Sequence, residues 1–591
     1  MTARVPLFGV ERSVTGKAWA LSEAPDGLAA EIARVTGCHD AVARLLAARG
    51  LDASSAPGFL QPRLRDSFPD PSSFLGMDEA ARVVWDAMQA GTRIAVFADY
   101  DVDGATSGAQ LVRWLRHLGH DPLTYVPDRI EEGYGPSAGA FASLKAAGAG
   151  LVITVDCGAA AYTAIESASG MGLPVVVIDH HLMSGKPPPA AALVNPNQPG
   201  DTSGCGHMAA AGVTLVLLAA LNREGRARNA FNGDEPDLVA MTDLAALGTI
   251  CDVVPLTGPN RAIVTQGLKV MSGWHKAGLA ALAEVAGLSG AATPYHAGFL
   301  IGPRINAGGR VGRAGLGLEL MATEDRALAH QLAGELDRLN AERKAIEQDV
   351  LDAAMAQIES GEIAADSPVI IAAGEGWHPG VIGIAAGRIK ERFNRPTIVI
   401  GTENGTGKGS GRSCTGVNLG EAIAAAREAG LLIAGGGHAM AAGLTVESGR
   451  IDALRAFLEE RLAPEWEAAH EARTLRLDAV AHPAAVDFAF GDALKAAAPF
   501  GTGNPEPRFA FSSLRVAFVK EVGTGHLRFT LEDRGGAQLS GIAFRALGSP
   551  LGEALTASRD RLWHAAGKVK AEDNRFGRKA ELHLEDLAAA D

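Results

Sequence analysis

The chain has 591 residues, 47% of them hydrophobic and 21% charged, and carries a net charge of −14 at pH 7. A chain of this length is too long for one hydrophobic core, so we expect three to four globular domains. The net acidity counts against a protein that binds nucleic acid over its whole surface, although a local basic groove is compatible with it.

The apolar segments indicate neither a secretory signal nor a membrane span. The first 20 residues carry scattered charges, and the longest apolar run, residues 208–221, is shorter than the roughly 20 residues that a spanning helix requires. The five cysteines show no CxxC spacing, which argues against a zinc ribbon or a disulfide framework. We therefore expect a cytoplasmic protein without a membrane partner.

Residues 1–75 alternate short helical patterns with loops rich in Pro and Ser, and we interpret them as an N-terminal leader region. Over residues 76–290, short β-branched runs alternate with helical patterns, which predicts an α/β domain with a doubly wound, mainly parallel sheet. The clearest strands are Ile94–Ala98, Leu151–Val155 and Val175–Ile178.

Each of these three strands is followed directly by an aspartate, at Asp99, Asp156 and Asp179. In an open α/β sheet, ligands bind in the crevice beyond the carboxyl ends of the strands. We therefore expect the three aspartates to converge on one site.

The second half of the chain predicts three further regions. Residues 291–360 are interpreted as a connecting helical segment, because residues 323–360 are polar, contain no Pro and carry apolar residues at mostly helical spacing. One or two long helices are expected there. Residues 361–465 predict a second α/β domain, with strands near residues 369–372 and 397–400.

Glycine-rich stretches at residues 405–411 and 435–437 are predicted to be loops of the second α/β domain. Residues 466–591 show short β-like runs punctuated by glycine, which predicts a small β-barrel of the OB type. Residues 508–580 contain 13 Lys or Arg and 7 Asp or Glu, a local excess of +6. This polarity suits a domain that grips a polyanion, although a solvated basic surface would look the same.

The barrel also contains aromatic residues with which bases could stack. Most of them should belong to the core, and we expect at most one or two to be exposed. The candidates are Phe509, Phe511, Phe518, Phe529 and Phe544.

Asp99, Asp101 and Asp103 alternate directly after the first strand. The same spacing opens an EF-hand calcium loop, but the twelfth position holds Gln110 instead of Glu and the preceding segment is strand-like. A helix cap would need only one carboxylate. Three close carboxylates without a cation would raise one another's pKa values and destabilise the fold, so the motif predicts a divalent-cation site.

Further ligand types occur at other predicted element ends. His180 and His181 follow Asp179, and Asp252 follows a short apolar run. Imidazole suits Mn²⁺-like ions, and a neighbouring carboxylate commonly fixes its orientation. Together with Asp156 these groups can supply ligands for two cations, the arrangement that favours an in-line displacement at phosphorus.

Two stretches suggest phosphate binding. Arg304, Arg310 and Arg313 lie in an acid-free stretch with three glycines, which suits close approach of backbone amides and guanidinium groups to phosphates. Ser410 and Arg412 lie in the glycine-rich stretch at residues 405–411 and just after it, and the same argument applies to them. Either stretch could also be a simple turn.

In chain order, the blocks at residues 99–104, 155–158, 179–181 and 248–256 resemble the four motifs of the DHH phosphoesterase superfamily. Further blocks at residues 299–310, 376–383 and 499–507 resemble the RecJ family of bacterial single-strand-specific exonucleases. The resemblance covers roughly residues 75–591. It implies a DHH domain, a connecting helix, a DHHA1 domain and an OB fold.

The resemblance implies 5′-to-3′ hydrolysis of single-stranded DNA to 5′-mononucleotides, with two Mn²⁺ or Mg²⁺ ions, in DNA repair and recombination. It also implies a monomer that works with a helicase and a single-strand-binding protein. The metal ligands that it implies are Asp99, Asp101, Asp103, Asp156, His180 and Asp252. Asp179 would orient a histidine, and His181 would bind either metal or the scissile phosphate.

Substrate contacts are implied for a larger set of residues: Arg129, Tyr134, Arg304, Asn306, Arg310, His378, Ser410, Arg412 and His438. For Arg129 and Tyr134 the physical reasons are the pairing of a guanidinium with phosphate and the stacking face of a phenol. Tyr134 could instead be a turn residue that packs on its own loop.

Two other functions stay open at this point. One is a DHH phosphodiesterase that acts on short oligonucleotides or cyclic dinucleotides, but such relatives usually end after the DHHA1 domain. The other is a non-catalytic module that binds single strands. Because every acidic and histidine ligand position is filled in this chain, the sequence favours the enzyme.

Overall fold

The computed structural model describes residues 5–129, 131–183, 185–557, 561–574 and 577–590. The chain divides into two compact units, one formed by residues 63–469 and the other by residues 1–62 together with residues 470–591. Within the described ranges, none of the helices combines the length and the apolar character needed to cross a membrane. All five cysteines are free thiols.

The helices, in chain order, are α1 (Leu28–Thr36), α2 (Asp40–Ala48), α3 (Ala56–Leu60), α4 (Leu64–Ser67), α5 (Met77–Gln89), α6 (Val102–His117), α7 (Ala138–Ala146), α8 (Tyr162–Gly170), α9 (Ala210–Ala227), α10 (Thr242–Cys251), α11 (Gly258–Met271), α12 (Ala277–Val285), α13 (Gly302–Val311), α14 (Leu316–Ala322), α15 (Arg326–Glu359), α16 (Pro379–Phe393), α17 (Leu419–Glu428), α18 (Ile451–Glu471), α19 (Phe488–Ala493) and α20 (Pro550–Ala557).

The strands are β1 (Ala18–Leu21), β2 (Ile94–Ala98), β3 (Leu123–Tyr125), β4 (Leu151–Val155), β5 (Val175–Ile178), β6 (Ala192–Val194), β7 (Ile370–Glu375), β8 (Thr397–Glu403), β9 (Thr406–Arg412), β10 (Ala434–His438), β11 (Ala441–Glu447), β12 (Thr474–Leu477), β13 (Ala479–Val480), β14 (Arg508–Val522), β15 (His526–Glu532), β16 (Gln538–Ala543), β17 (Leu562–Asn574) and β18 (Gly577–Ala589).

The unit of residues 63–469 begins with a five-stranded sheet in the order β3-β2-β4-β5-β6, in which every neighbouring pair is parallel. The predicted doubly wound parallel sheet is therefore confirmed, and β2, β4 and β5 have the predicted bounds. The chain reverses its direction of winding between β2 and β4. In such folds this reversal opens the crevice in which ligands bind.

The sheet is covered on both faces, which explains why its strands are continuously apolar. Alternate residues of a strand point to opposite faces. Val96 and Ala98 join a core shared with α6 and α9, whereas Ala95 and Phe97 join a second core shared with α7 and α8. The apolar run at residues 208–221 forms most of α9, which is buried as expected.

The predicted connecting segment contains one long helix, α15, which is the first of the two predicted alternatives. Asp325 caps its first turn by accepting hydrogen bonds from the backbone N–H groups of Ala327 and Leu328. Leu332 and Leu336 pack into the core of the parallel sheet, whereas Val350 packs against the core that α16 covers. A single helix therefore joins the two α/β domains.

The second α/β domain has a mixed sheet in the order β10-β11-β9-β8-β7, in which only β7 and β8 are parallel. The prediction of loops at residues 405–411 and 435–437 is wrong, because most of these residues lie in β9 and β10. In β9, Gly409 lies on the buried face, where an added Cβ would come within 2.8 Å of Leu444. The small residues therefore serve close packing in a strand.

The other unit contains the predicted barrel, with strands in the order β13-β14-β15-β16-β18-β17 and a further pairing of β17 with β14 that closes the sheet. The prediction for its aromatic residues is confirmed. Phe509, Phe511 and Phe529 are buried, whereas Phe518 and Phe544 are 44% and 54% exposed.

Residues 5–62 pack on this barrel, whereas the sequence predicted a leader region over residues 1–75. β1 pairs in parallel with β12, and Leu45 and Leu46 of α2 enter the barrel core. Arg49 donates to Asn504 and Pro505 in the block at residues 499–507, and the buried Asn504 side chain donates to two further backbone carbonyls. This long-range packing leaves no local signal in the sequence.

Candidate metal centre

The carboxyl ends of three neighbouring strands bring the predicted aspartates together. The backbone N–H of Asp99 donates to Val155 at 3.3 Å, and that of Asp156 donates to Ile178 at 2.9 Å. Asp156 has a positive φ of 61°, a conformation that Asp adopts more readily than most residues. These hydrogen bonds extend the strand ladder by one residue and fix the backbone positions of Asp99 and Asp156.

Asp101 and Asp103 belong to the start of α6. Asp101 is the N-cap, and its side chain accepts a hydrogen bond of 3.0 Å from the backbone N–H of Gly104. Asp103 is buried and accepts hydrogen bonds from the backbone N–H groups of Ala210 at 2.7 Å and Ala211 at 2.9 Å. The start of α9 therefore holds the Asp103 carboxylate in place.

The two histidines are held by different partners. His180 Nδ1 lies 3.0 Å from the carbonyl oxygen of Met208, which leaves Nε2 for the centre. His181 Nδ1 lies 2.7 Å from Asp179 Oδ1. Asp179 also accepts hydrogen bonds from the backbone N–H groups of Ala159, His180 and His181, so its role in orienting His181 is built into the fold.

At these strand ends, three sets of ligand atoms lie close enough to share a cation, each with its atoms within 4.8 Å of one another. The sets are Asp99, Asp101 and Asp156; Asp156, His180 and His181; and Asp103, His180 and Asp252. Because Asp156 and His180 each belong to two sets, the sets are continuous. The arrangement offers room for two neighbouring cations with shared ligands.

Several atoms of this centre fit a cation better than they fit the protein alone. Within the described part of the chain, Asp99 Oδ1, Asp156 Oδ1 and His180 Nε2 are buried and lack a hydrogen-bond partner. His180 Nε2 and Asp156 Oδ1 are 3.3 Å apart without hydrogen-bond geometry. Unsatisfied buried polar atoms are costly, so the donor set fits a divalent metal with oxygen and nitrogen ligands.

Charge repulsion in the centre is visible in the pKa values of its carboxyl groups. Burial and the neighbouring Asp101 raise the pKa of Asp99 to about 8 and that of Asp252 to about 7. Burial also raises the pKa values of Asp103 and Asp156 well above their ordinary range, with contributions from other carboxylates. A bound cation would remove this repulsion.

Two further groups of the centre differ in charge: His180 is neutral and Asp179 is ionised. Burial and His181 lower the pKa of His180 to about 4, so this imidazole is neutral and able to act as a ligand. Burial opposes charge on Asp179, but the hydrogen bonds from His181 and the backbone hold its pKa below the ordinary value. Asp179 is therefore a stable carboxylate outside the three ligand sets.

Tyr134 is placed at the rim of the centre. Its hydroxyl donates to the backbone carbonyl of Asp156 at 3.0 Å and lies 3.1 Å from His181 Nδ1. Burial and the nearby Asp179 and Asp156 raise the pKa of the Tyr134 phenol, so it stays protonated. The residue is 52% exposed and contacts the catalytic histidine candidate as well as a loop backbone.

A group of arginines faces the acidic cluster. Burial and the positive charges of Arg129, Arg343 and Arg412 lower the pKa of Arg310 to about 10. Burial and Arg129 likewise lower the pKa of Arg412. Arg129 stacks on the ring of Tyr100, with its Cζ 5.1 Å from the ring centroid. We call Arg129, Arg310 and Arg412 the arginine group; their mutual repulsion suits an anion.

The arginine-rich stretch at residues 302–311 is a helix, α13, so its backbone amides are not free to bind phosphate as the sequence suggested. Gly309 packs on Tyr100, where an added Cβ would lie 2.9 Å from the carbonyl oxygen. Asn306 is half-buried, one turn before Arg310 on the same helix face. Arg304 differs from Arg310, because its guanidinium pairs with Asp337 of α15 at 2.9 Å.

The second α/β domain brings some of its predicted residues to the arginine group. Arg310 donates to the carbonyl oxygen of Gly380, and the N–H of Gly380 donates to Nδ1 of His378, the N-cap of α16. Arg412 Nη1 donates to Ser410 Oγ at 3.1 Å. His438, at the end of β10, is exposed, and its Nδ1 accepts from the backbone N–H of Met440. No contact joins His438 to the arginine group among the described residues.

Sequence reasoning missed the residues that hold the histidine loop. Asn195 Nδ2 donates to the carbonyl oxygen of His181 at 2.9 Å, and Asn197 Nδ2 donates to that of His180 at 2.6 Å. The signal was the Asn-Pro-Asn segment that directly follows β6, since the next strand end of the same sheet lies beside the same crevice. These amides orient the loop without entering the ligand sets.

Comparison with known proteins agrees with this geometry. Three family models match the chain: the DHH family N-terminal domain over residues 93–249, the DHHA1 domain over residues 366–463 and the RecJ OB domain over residues 477–586. Together they account for both α/β domains and the barrel.

Among curated proteins, the single-stranded-DNA-specific exonuclease RecJ of Salmonella typhimurium is 38% identical over 482 residues, which cover 79% of this chain and 83% of the relative. The protein of the same name from Bacillus subtilis is 36% identical over 509 residues. This match covers 85% of the chain and 62% of the Bacillus protein, so the chain spans less than two thirds of that relative.

Solved structures give the same result. The chain is similar to RecJ from Thermus thermophilus in complex with Mn²⁺, with a TM-score of 0.81 and 30% identity over 96% of this chain and 79% of that chain. The Mg²⁺ complex of the Thermus protein matches with a TM-score of 0.76 at 30% identity, over 96% and 78% of the two chains.

Proposed function

The chain belongs to the RecJ family of the DHH phosphoesterases, and from this premise we propose that it is a metal-dependent exonuclease that degrades single-stranded DNA. It works from the 5′ end and releases 5′-mononucleotides. The observation that carries the proposal is the pairing of three continuous ligand sets with an arginine group in one compact unit.

The cofactor is Mn²⁺ or Mg²⁺, in two neighbouring positions. The residues that would hold these ions are Asp99, Asp101, Asp103, Asp156, His180 and Asp252. Cations at such a centre lower the pKa of water and neutralise charge on a phosphate that undergoes in-line displacement. The similarity to Mn²⁺ and Mg²⁺ complexes of the Thermus protein supports this choice of metals.

The protein's own groups position the substrate. Asp179 holds the ring of His181 through Nδ1, and the Tyr134 hydroxyl contacts the same ring, so His181 can present a fixed imidazole to the scissile phosphate. The backbone N–H groups of Ala210 and Ala211 hold Asp103 rigidly. Both features reduce the reorganisation that is needed during the reaction.

The arginine group binds the 5′-terminal phosphate. Arg129, Arg310 and Arg412 come from three separate segments, and Ser410 is hydrogen-bonded to Arg412. Arginine pairs with phosphate through several N–H groups, and a pocket for a terminal phosphate would make the enzyme start at a strand end. His378 borders this group, because Gly380 accepts a hydrogen bond from Arg310 and donates one to the His378 ring. We assign His378, Asn306 and His438 to contacts with the rest of the strand.

The barrel supplies a second, separate affinity for single strands. Phe544 is exposed and contacts the rings of His526 and His583, with centroid distances of 5.4 and 5.0 Å. Exposed aromatic rings together with a local excess of basic residues suit base stacking and phosphate binding.

In the cell, we propose a monomer that acts in the cytoplasm in DNA repair and recombination. A helicase and a single-strand-binding protein would supply unwound DNA. The five free thiols support a reducing compartment.

The test compares decay of 5′-labelled and 3′-labelled 30-nucleotide strands with purified protein and Mn²⁺, with a duplex as control. We expect rapid loss of the 5′ label as a mononucleotide, slow shortening of the 3′-labelled strand, and no reaction with duplex or with EDTA. Tight binding without shortening would indicate the non-catalytic module. Cleavage confined to short oligonucleotides or cyclic dinucleotides would indicate the other phosphodiesterase class.

A further inference from the structure

An exposed aromatic pair lies in the unit of residues 63–469, outside the groups discussed so far. Tyr295 is 60% exposed and Phe299 is 69% exposed. Their rings are stacked, with centroids 5.3 Å apart and an angle of 23° between the planes. Large aromatic side chains that pair on a surface while staying exposed form an apolar patch, and such patches often mark binding sites.

The segment that carries the pair packs against a helix that ends at the metal centre. Phe299 is in a π-helical turn, His296–Ile301, that leads directly into α13, and such turns are frequent at functional sites. This turn packs against the last turn of α10, because Cys251 Sγ lies 3.6 Å from the carbonyl oxygen of Ala297. Ala297 is two positions after Tyr295 and two before Phe299. The residue after Cys251 is Asp252, a member of a ligand set.

The charge around the pair favours a polyanion. In a chain with a net charge of −14, residues 285–318 contain no Asp or Glu. Of their three arginines, Arg304 and Arg313 pair with carboxylates outside this stretch, whereas Arg310 belongs to the arginine group. The same continuous helical segment therefore carries the aromatic pair at its start and Arg310 of the arginine group near its end. Eleven positions along this segment, or roughly 16 Å at the rise of a helix, separate Phe299 from Arg310.

We propose that Tyr295 and Phe299 form a platform on which a base of the single strand stacks, which deepens the proposed function and rests on it. Flat rings with exposed faces suit a nucleobase, and stacking tolerates every base because each has a π-face. The platform would hold the strand in place as successive nucleotides are removed, without selecting a sequence.

The experiment uses the full chain in EDTA and measures binding by fluorescence anisotropy. The two probes are a 5′-phosphorylated 15-nucleotide oligothymidylate and an abasic strand of the same length, both labelled at the 3′ end. We expect Phe299→Ala to weaken binding of oligothymidylate about tenfold and to leave binding of the abasic strand within about twofold, because stacking requires a base. Phe299→Trp should bind oligothymidylate as tightly as wild type.

The matched control is Val239→Ala. Val239 is 49% exposed and precedes α10, so it lies at the end of that helix opposite to Asp252. This variant should bind both strands as wild type does. An equal loss for both strands in Phe299→Ala, or no loss for either, would overturn the platform. Wild-type protein that neither binds nor shortens oligothymidylate would overturn the proposed exonuclease itself.

Discussion

The acidic cluster and the arginine group lie in the same unit but are assembled by different rules. The acids follow successive strands of one parallel sheet, so the fold of residues 94–180 is enough to bring most of them together. Arg129 comes from a loop after β3 and Arg310 from α13, whereas Arg412 comes from β9 of the second α/β domain. The carboxylates that could hold cations and the arginines that suit an anion therefore have separate structural origins.

Both regions are electrostatically incomplete in the protein alone. Burial and like charges raise the pKa of Asp99 to about 8, and burial and like charges lower the pKa of Arg310 to about 10. Each shift disfavours the charged form of its own group. A cation would complete the first region and a phosphate would complete the second, so we expect that each can be disabled without the other.

The largest expected effect is a loss of cleavage when one carboxylate of the acidic cluster is replaced. Asp101 is both a helix N-cap and a member of a ligand set, and Asn caps helices as well as Asp does. Asp101→Asn should therefore keep the fold but slow cleavage by at least about a thousandfold, since loss of a metal ligand removes several kcal/mol of charge stabilisation. Steady-state cleavage rates with Mn²⁺ test the acidic cluster, and affinity for a single strand in EDTA tests the arginine group.

Asp325→Asn is the matched control for that variant. Asp325 is likewise an N-cap whose carboxylate accepts from backbone N–H groups, here of Ala327 and Leu328, but it belongs to none of the ligand sets found among the described residues. It should cleave at the wild-type rate. Comparable activity of the two variants, or an equal loss of cleavage and binding in Asp101→Asn, would contradict the division of labour.

A smaller effect is expected on the basic side. Arg412→Ala should weaken binding of a 5′-phosphorylated strand about tenfold and reduce the salt slope of binding by roughly 0.7, as for one lost phosphate contact on a single strand. Arg304→Ala offers the contrast, because Arg304 is paired with Asp337 and should change thermal stability more than affinity. Affinity titrations over a range of salt concentrations and melting curves compare the two variants. Equal salt slopes for Arg412→Ala and Arg304→Ala would contradict the assignment of Arg412, but not Arg304, to the arginine group.

The smallest expected effect is on stability in the absence of metal. Asp99 and Asp252 have pKa values of about 8 and about 7 in the fold, against about 4 in an unfolded chain. Between these pH values the folded metal-free protein binds more protons than the unfolded one, so its stability falls as pH rises from about 4 to about 8. The rise in melting temperature on adding Mn²⁺ should therefore be larger at pH 8 than at pH 5.5.

Calorimetry with EDTA and with Mn²⁺ at both pH values measures this increment. Asp99→Asn should show a shallower decline with pH than wild type in EDTA, because it lacks one of the raised carboxyl groups. An increment that is the same at both pH values would mean that the carboxyl groups do not repel one another as the structure indicates.

The acidic side could be predicted from sequence because its signals are local. An apolar β-branched run that ends in Asp specifies a strand and its ligand together, and β2, β4 and β5 have the predicted bounds. Pairing Ala98 with Val155 and Val155 with Ile178 then places Asp99, Asp156 and Asp179 side by side.

The remaining features depend on packing between distant segments. No local pattern shows that Leu45 enters a barrel formed more than 400 residues later, or that Arg310 and Arg412 come close enough for their charges to repel. The glycines of β9 suggested a loop, because their role becomes clear only once Leu444 is seen to fill the space above Gly409. A glycine in a loop and a glycine in a strand look alike in the sequence, and only the residues packed against it distinguish the two.

The length of α15 has a consequence for how this family of chains can vary. Its 34 residues form an unbroken rod of about 51 Å that joins the two α/β domains. One inserted residue would turn everything beyond it by about 100°, whereas a surface loop absorbs insertions with little change. Seven inserted residues restore the facing to within about 20° but lengthen the rod by about 10 Å. An insertion in α15 therefore moves Arg412, which follows this helix, relative to Arg129 and Arg310, which precede it. Only insertions close to whole helical repeats preserve the orientation of Arg412 relative to them.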